Sequence, residues 1–436
     1  MLRAYKYKLY PNNQQAGQLQ WTLDRARELY NSALQERRDA YEMMVKRHPN
    51  YYDEATRSQL TQEHALTYNQ QAVQLPEIKE IRSEYNDIHS QVLQDVLRRV
   101  KKAYDNFFRG VKAGQTSGYP RFQGYGRYDS FTFPQSGFSL TEDNRVGLSK
   151  VGTLKVKFPK GKKARPPVGE MKTCTIKREG IHWYIIFTCE LEQEIIYHPV
   201  SEAVGIDLGV VHFATLSDGS TIEIPRHLRQ SENKLKKSQE ALSRKKRGSK
   251  RRRKAAQHVG KVHRHIARQR TDFHHKEARK LVTKYQTIVF EKLQPAHMSK
   301  RPKPKQDEAT GQYLPNGASA KAGLNKSILD AGWGRFQQIC VSKAECAGSR
   351  VLFVSPKYTS QICSGCGAVV KKERSERWHD CSCGCSLDRD HNAAMNILRI
   401  GLEAIKKEFC ARTERSEDAP LRSPRLQPLG VVTVLV

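Results

Sequence analysis

Two kinds of residue in this chain have the type and spacing to do chemistry: acids set in apolar strands, and cysteines gathered in one short stretch. Asp207 lies inside the apolar run GIDLG, Glu291 follows TIVF, and Asp390 sits in LDRDHNAAMNIL, where an amphipathic helix begins. A carboxylate in such a strand is expensive to bury unless it meets a cation or hydrogen-bond donors. Taken singly, each is an ordinary strand-end acid with a salt-bridge partner; Glu291 even has Lys292 beside it. Taken together, two strand carboxylates and one at a helix start can converge at one edge of a mixed sheet. Such a set can hold two divalent ions about 4 Å apart for in-line attack on a phosphodiester.

The cysteines carry a different chemistry. Of ten in the chain, Cys363, Cys366, Cys381, Cys383 and Cys385 crowd together, which reads as a metal site in a reducing compartment and not as a disulfide framework. Cys363 and Cys366, two residues apart, can face one tetrahedral Zn2+. Cys381 opens the second half of the site. Its partner is Cys383, at a spacing one residue shorter than usual, or Cys385. Four thiolates leave no open position, so the zinc is structural.

A third signal is charge. With 76 Lys and Arg against 45 Asp and Glu, the net charge is +31, a self-repulsion that a polyanion relieves. The densest run holds Lys245, Lys246, Arg247, Lys250, Arg251, Arg252, Arg253 and Lys254. Its helical face can neutralise phosphates, where the plainer alternative is a solvated surface. Tyr119, Phe122, Tyr125 and Tyr128 lie among glycines and arginines that include Arg121, which suits stacking on bases or packing at a domain junction. His274 and His275 are adjacent on a helix and point apart, so they read as packing or surface residues and not as a metal pair.

The elements that must position these residues follow from periodicity. Residues 2–10 read as a strand, and helical patterns cover 13–45 and 87–109. Short strands fill 130–195, so a small β-barrel takes its first strand from the N-terminus and is interrupted by a helical insertion. Beyond residue 201 come AVGIDLGV, a hairpin turning at Asp218-Gly219, a basic helical segment over 226–284, the strand QTIVFEKL, a loop at 301–321, the strand GSRVLFVSP, the cysteines and a final amphipathic helix. There is no signal peptide and no stretch of transmembrane length, so a cytoplasmic, nucleoid-associated protein without a membrane partner is expected.

GIDLGVVHFATLSDG, IVFEKL, YTSQICSGCG and LDRDHNAAMNIL, in this order, together with YKYKLYPNNQQ, GYPRF and RTDFHHK, resemble the TnpB (OrfB) family of insertion-sequence proteins and the related compact type V CRISPR effectors. The resemblance runs to about residue 405. It implies an α+β multidomain protein. A wedge barrel takes its first strand from 1–11 and the remainder from 118–200, with a helical recognition domain at 12–117. A RuvC-like nuclease of RNase H fold covers 201–358 and closes with a helix at 388–408. By composition 409–436 read as a disordered tail; the resemblance inserts a zinc ribbon at 359–387. It implies that Asp207, Glu291 and Asp390 bind two Mg2+, and that Asp388 opens the DRD motif without binding metal. The family's last cysteine stands five residues before that motif, at Cys383 here. The implied activity is cleavage of double-stranded DNA beside a short flanking motif, guided by an RNA from the element's own end. The Cys-x-Cys spacing and the long 301–321 loop depart from the family pattern. A nuclease-dead RNA-guided repressor, a strand-transferring transposase and a simple basic zinc-ribbon DNA binder are the alternatives.

Overall fold

A computed structural model describes residues 2–47, 66–141, 143, 145–159, 166–191, 202–373 and 376–416. The chain divides into two compact units, Met1–Gln193 and Glu194–Val436.

The first unit is a sheet with helices inserted after its first strand. β1 (Leu2–Tyr10) alternates so that Tyr5, Tyr7 and Leu9 are buried, the period of a strand with one face on a core. The helices α1 (Asn13–Arg47), α2 (Tyr68–Val73), α3 (Leu75–Ile81) and α4 (Ser90–Lys112) follow. The chain then returns through β2 (Ser130–Phe133), β3 (Phe138–Leu140), β4 (Arg145–Leu148), β5 (Gly152–Lys157), β6 (Glu170–Glu179) and β7 (His182–Glu190). The strand order is β2-β6-β7-β1-β5-β4-β3, which puts the N-terminal strand between β7 and β5, antiparallel to both. Leu19, Leu23 and Leu34 of α1 and Val92, Val96 and Val100 of α4 share one core with Phe131, Phe133, Ile185 and Phe187. Arg99 fastens α4 to β2, donating to the Ser130 carbonyl at 2.6 Å and to Thr132 Oγ1 at 2.9 Å.

The second unit is built on a mixed sheet of order β10-β9-β8-β11-β14. Its strands are β8 (Ala203–Asp207), β9 (His212–Leu216), β10 (Thr221–Glu223), β11 (Thr287–Glu291) and, after the short β12 (Lys305–Gln306) and β13 (Tyr313–Leu314) hairpin, β14 (Arg350–Val354). β8, β11 and β14 run parallel, while β9 and β10 form an antiparallel hairpin at one edge. Its turn lies at Asp218-Gly219, where Gly219 has φ 82°. The parallel strands are apolar along their length because both faces are covered. On one side Ile288 and Phe290 share a core with Leu281 of α6 (Lys250–Lys284), Ile328 of α8 (Ala318–Ala331) and Phe336 of α9 (Trp333–Ala347). α5 is His227–Ser243 and α7 is Pro295–Met298. On the other side Val289, Leu352 and Val354 meet Ile397 of α10 (Arg389–Ser416).

Three expectations are sharpened. The basic helical segment is two helices, α5 and α6, joined by a connection that Ser249 closes by capping Arg252 N at 3.1 Å. The 301–321 loop carries the β12–β13 hairpin and the start of α8. The last helix continues to Ser416; the rest of the expected tail, 417–436, lies outside the described residues.

Candidate active site and metal centre

Asp207 is the last residue of β8 and Glu291 the last residue of the neighbouring parallel strand β11, so their carboxylates leave the sheet at the same edge. Asp390 stands in the first turn of α10. What brings it there is a close approach: a Cβ placed on Gly205 would stand 2.1 Å from the Ala394 carbonyl oxygen. Gly401 makes a second such contact with Val289, so α10 lies down on β8 and β11 with its N-terminus at the acidic edge.

The three acids feel one another. Burial, then Glu291, then Asp390 push the Asp207 carboxyl well above the usual carboxylate range. Glu291, 8% exposed, is raised by burial and by Asp390, against a hydrogen bond from Thr359. Asp390 is raised by burial and by Asp388, against Arg377, Arg389 and His212. Asp207 thus carries the repulsion of both other acids and Glu291 that of Asp390, a crowding that a divalent cation relieves. The sets of three or more metal-ligand atoms lying within 4.8 Å of one another are, among the described residues, both in the cysteine cluster. The carboxylates therefore span more room than a single-ion cage.

Asp388 has a different task. Its Oδ1 accepts from the amides of Asp390 at 2.8 Å and His391 at 3.2 Å, which caps α10. Four further residues hold the site and went unread in the sequence. Thr359 Oγ1 donates to Glu291 Oε1, and Gln337 Nε2 to the Glu291 carbonyl at 3.0 Å. Asn396 donates to the carbonyls of Thr359 and Ile362, and Asn392 to that of Ile362 at 2.8 Å. Both asparagines are fully buried. Polar residues at helical spacing on the otherwise apolar, buried face of an amphipathic helix are the signal that marks them.

The cysteine cluster closes around two short antiparallel strands, β15 (Trp378–Asp380) and β16 (Ser386–Asp388). The sulfurs of Cys363, Cys366, Cys381 and Cys383 all lie within 4.8 Å of each other. Cys363 Sγ is 3.6 Å from Cys383 Sγ, and Cys366 Sγ is 3.6 Å from Cys381 Sγ. Two sulfurs about 2.3 Å from one tetrahedral ion stand about 3.8 Å apart, so this set fits zinc. Cys385 falls outside that group of four, in a second one with Cys363 and His379.

The basic run lies where α5 passes into α6. Lys245, Lys246, Arg247, Lys250, Arg251, Arg253 and Lys254 are exposed. Arg252 instead turns back, donating to the carbonyls of Leu242 and Lys245, both at 2.9 Å. Arg121 and Tyr125 are exposed, Tyr128 is buried, and Tyr119 meets Tyr104 at 3.0 Å with Arg38 over its ring. His274 is buried against Phe213 and Phe336, and His275 is exposed.

The sequence carries family signatures across this architecture. Residues 187–301 match the OrfB family of IS605-type elements, described as "Probable transposase", and 333–397 match the "Cas12f1-like, TNB domain". Residues 1–46 match a profile described as a helix-turn-helix domain, although they fold as β1 followed by the single helix α1. The chain is 32% identical over 407 residues to an Escherichia coli (strain K12) protein named RNA-guided DNA endonuclease InsQ, covering 92% of each chain. It is 30% identical over 428 residues to a Streptomyces pristinaespiralis protein named RNA-guided DNA endonuclease, covering 97% of this chain and 94% of the other. Among solved structures, the mini-RNA-guided endonuclease CRISPR-Cas_phi3 overlaps 92% of both chains at a TM-score of 0.37 and 12% identity. This chain belongs to the TnpB (OrfB) family. No helix among the described residues is long and apolar enough to cross a membrane.

Proposed function

We propose that this chain is an RNA-guided DNA endonuclease carried by a transposable element, with a RuvC-like centre formed by Asp207, Glu291 and Asp390. The observation that carries the reading is the meeting of these three acids at one sheet edge, where burial disfavours the charge of each and neighbouring carboxylates add to it. Asp207, Glu291 and Asp390 would hold two Mg2+, which would supply activation of a water and charge stabilisation for the leaving oxygen. The residues around them hold the carboxylates in place: Thr359 fixes Glu291, and Asp388 caps the helix that presents Asp390. Cleavage leaves 5′-phosphate and 3′-hydroxyl ends.

The mixed sheet of unit two is read as the RNase H fold of that centre, and the four-thiolate cluster as a structural zinc ribbon bound to its last helix through Asn392 and Asn396. The seven-stranded sheet with inserted helices is read as the wedge and recognition domains, which read a short duplex motif. The guide comes from the element's own end and pairs with one strand of duplex DNA, and the protein holds the heteroduplex by its backbone. Basic side chains at the start of α6 support a phosphate contact there. Positive charge is unfavourable at a helix N-terminus unless an anion compensates, and this first turn has no acid.

The test is to sequence RNA copurifying with the protein from its native locus and to challenge the complex with matching duplex DNA in Mg2+. A defined RNA from the element's end and cleavage lost in Asp207→Ala are expected. Cleavage with strand joining would instead make the chain a transposase, and sequence-guided binding without cleavage a repressor.

A further inference from the structure

His379 does not belong to the four-thiolate set, yet it is fully enclosed beside it. It is 0% exposed on β15, and neither ring nitrogen finds an oxygen or nitrogen partner among the described residues. An imidazole sealed from water in this way is costly to bury unless something satisfies it. The groups within reach are sulfurs. One ring nitrogen of His379, Cys363 Sγ and Cys385 Sγ all lie within 4.8 Å of each other. Ser364 Oγ stands 3.9 Å from Cys385 Sγ, and the Gly365 backbone amide also reaches it.

From this juxtaposition we infer that the ribbon holds a second zinc-type cation on Cys363, His379 and Cys385, with the Cys363 thiolate bridging it to the first ion. Nitrogen and sulfur donors at this spacing select a soft or borderline divalent ion, and not Mg2+ or Ca2+. A thiolate has lone pairs enough to bind two metals. Charge favours the second ion as well. Four thiolates around one Zn2+ leave two excess negative charges at the base of the ribbon; a further Zn2+ arriving with the Cys385 thiolate leaves one. The inner ion would also take a ring nitrogen of His379 as a ligand. Three protein ligands leave its fourth position open, so it is held less tightly than the outer ion.

The inference rests on the zinc reading of the outer four thiolates, and the variants separate the two. Zinc per protein is measured by plasma mass spectrometry on wild type, Cys385→Ser, His379→Asn and Cys381→Ser, all purified in the same Mg2+-containing buffer. Cys385→Ser and His379→Asn are each expected to hold one equivalent less than wild type while keeping the outer ion. Substituted Co2+ is expected to drive thiolate charge-transfer absorption to saturation at two equivalents in wild type and at one in these variants. If Cys385→Ser or His379→Asn keeps the full wild-type complement, the second site does not exist. If Cys385→Ser loses all thiolate-bound metal, Cys385 is a ligand of the first ion and the inference is equally overturned. Undiminished zinc in Cys381→Ser would instead overturn the outer site.

Discussion

A Cβ built on Gly205 falls 2.1 Å from the carbonyl oxygen of Ala394 and 2.5 Å from the backbone nitrogen of Leu398, so only glycine lets α10 rest on β8. The same contact sets the height of Asp390 over Asp207. Both obstructing atoms are backbone, so Gly205→Ala must move the helix itself. Overpacking of this kind costs about 1–3 kcal/mol. A misplacement near 1 Å costs about 100-fold in rate. The expected outcome is a loss of single-turnover DNA cleavage on that scale with guide-RNA affinity unchanged. Wild-type cleavage would mean that α10 is not positioned by this contact.

Asp207→Ala removes one of the three acids from the sheet edge. Cleavage is expected to fall on the order of 100- to 1,000-fold, the scale of a lost electrostatic stabiliser. Guided binding stays, because the exposed lysines and arginines of the α5–α6 connection are untouched. Binding and cleavage are measured on the same complex, and a variant that cuts at the wild-type rate removes Asp207 from the centre.

The basic run divides by geometry. Lys250, Arg251 and Arg253 are exposed, whereas the Arg252 guanidinium serves the Leu242 and Lys245 carbonyls. Changing the three exposed residues to Gln is expected to lower the log–log salt slope of duplex binding by about 0.9 for each phosphate that is no longer neutralised. Arg252→Gln is expected to lower the unfolding temperature and leave the slope nearly as it was. An unchanged slope in the triple variant shows a merely solvated face.

The fourth outer thiolate is Cys383 in the group of four sulfurs. Cys383→Ser is expected to lose the outer zinc and unfold the ribbon, because metal binding here is folding free energy. Cleavage drops with it, since Asn392 ties the ribbon base to the helix of Asp390. Cys385→Ser keeps the outer zinc and a folded ribbon and gives up only the inner ion. Metal content and cleavage on the two proteins decide the assignment, and the reverse pattern exchanges the two residues.

His274 makes stability depend on pH. Burial holds its imidazole down to about 4, from an ordinary value of 6.5, and outweighs the bond between Nε2 and the Ala331 carbonyl at 2.8 Å. The depressed value means that the folded state resists a proton the unfolded chain accepts. Its contribution is complete above pH 6.5 and is lost as pH falls from there to about 4, amounting to about 3 kcal/mol. His274→Phe is expected to flatten the acid limb of thermal stability by that amount relative to wild type. An identical slope in the two proteins would show that His274 is protonated in the fold.

Much of this was legible in the residues. Tyr5, Tyr7 and Leu9 betray β1 by alternation, and the glycine-flanked Asp207 and the apolar approach to Glu291 mark strands that end in acids. The Cys363–Cys366 spacing announces a metal knuckle. These are local facts: they follow from the period of a strand and the reach of a thiolate, both fixed within a few residues.

Other features exist only through space. No local pattern says that Gly205 meets Ala394, that Arg252 folds back on Leu242 while its neighbours face solvent, or that Thr359 reaches Glu291 across 68 positions. Residues 1–46 match a helix-turn-helix profile, yet β1 leaves that segment to pair with β5 and β7, far along the chain. Cys385 looked like a spare fourth ligand by spacing, and the fold sets it beside the buried His379, which spacing along the chain does not identify as its partner. Sequence period decides which face a side chain takes; which groups then meet is decided by the packing of separate elements, where one missing Cβ or one unpaired nitrogen sets the contact.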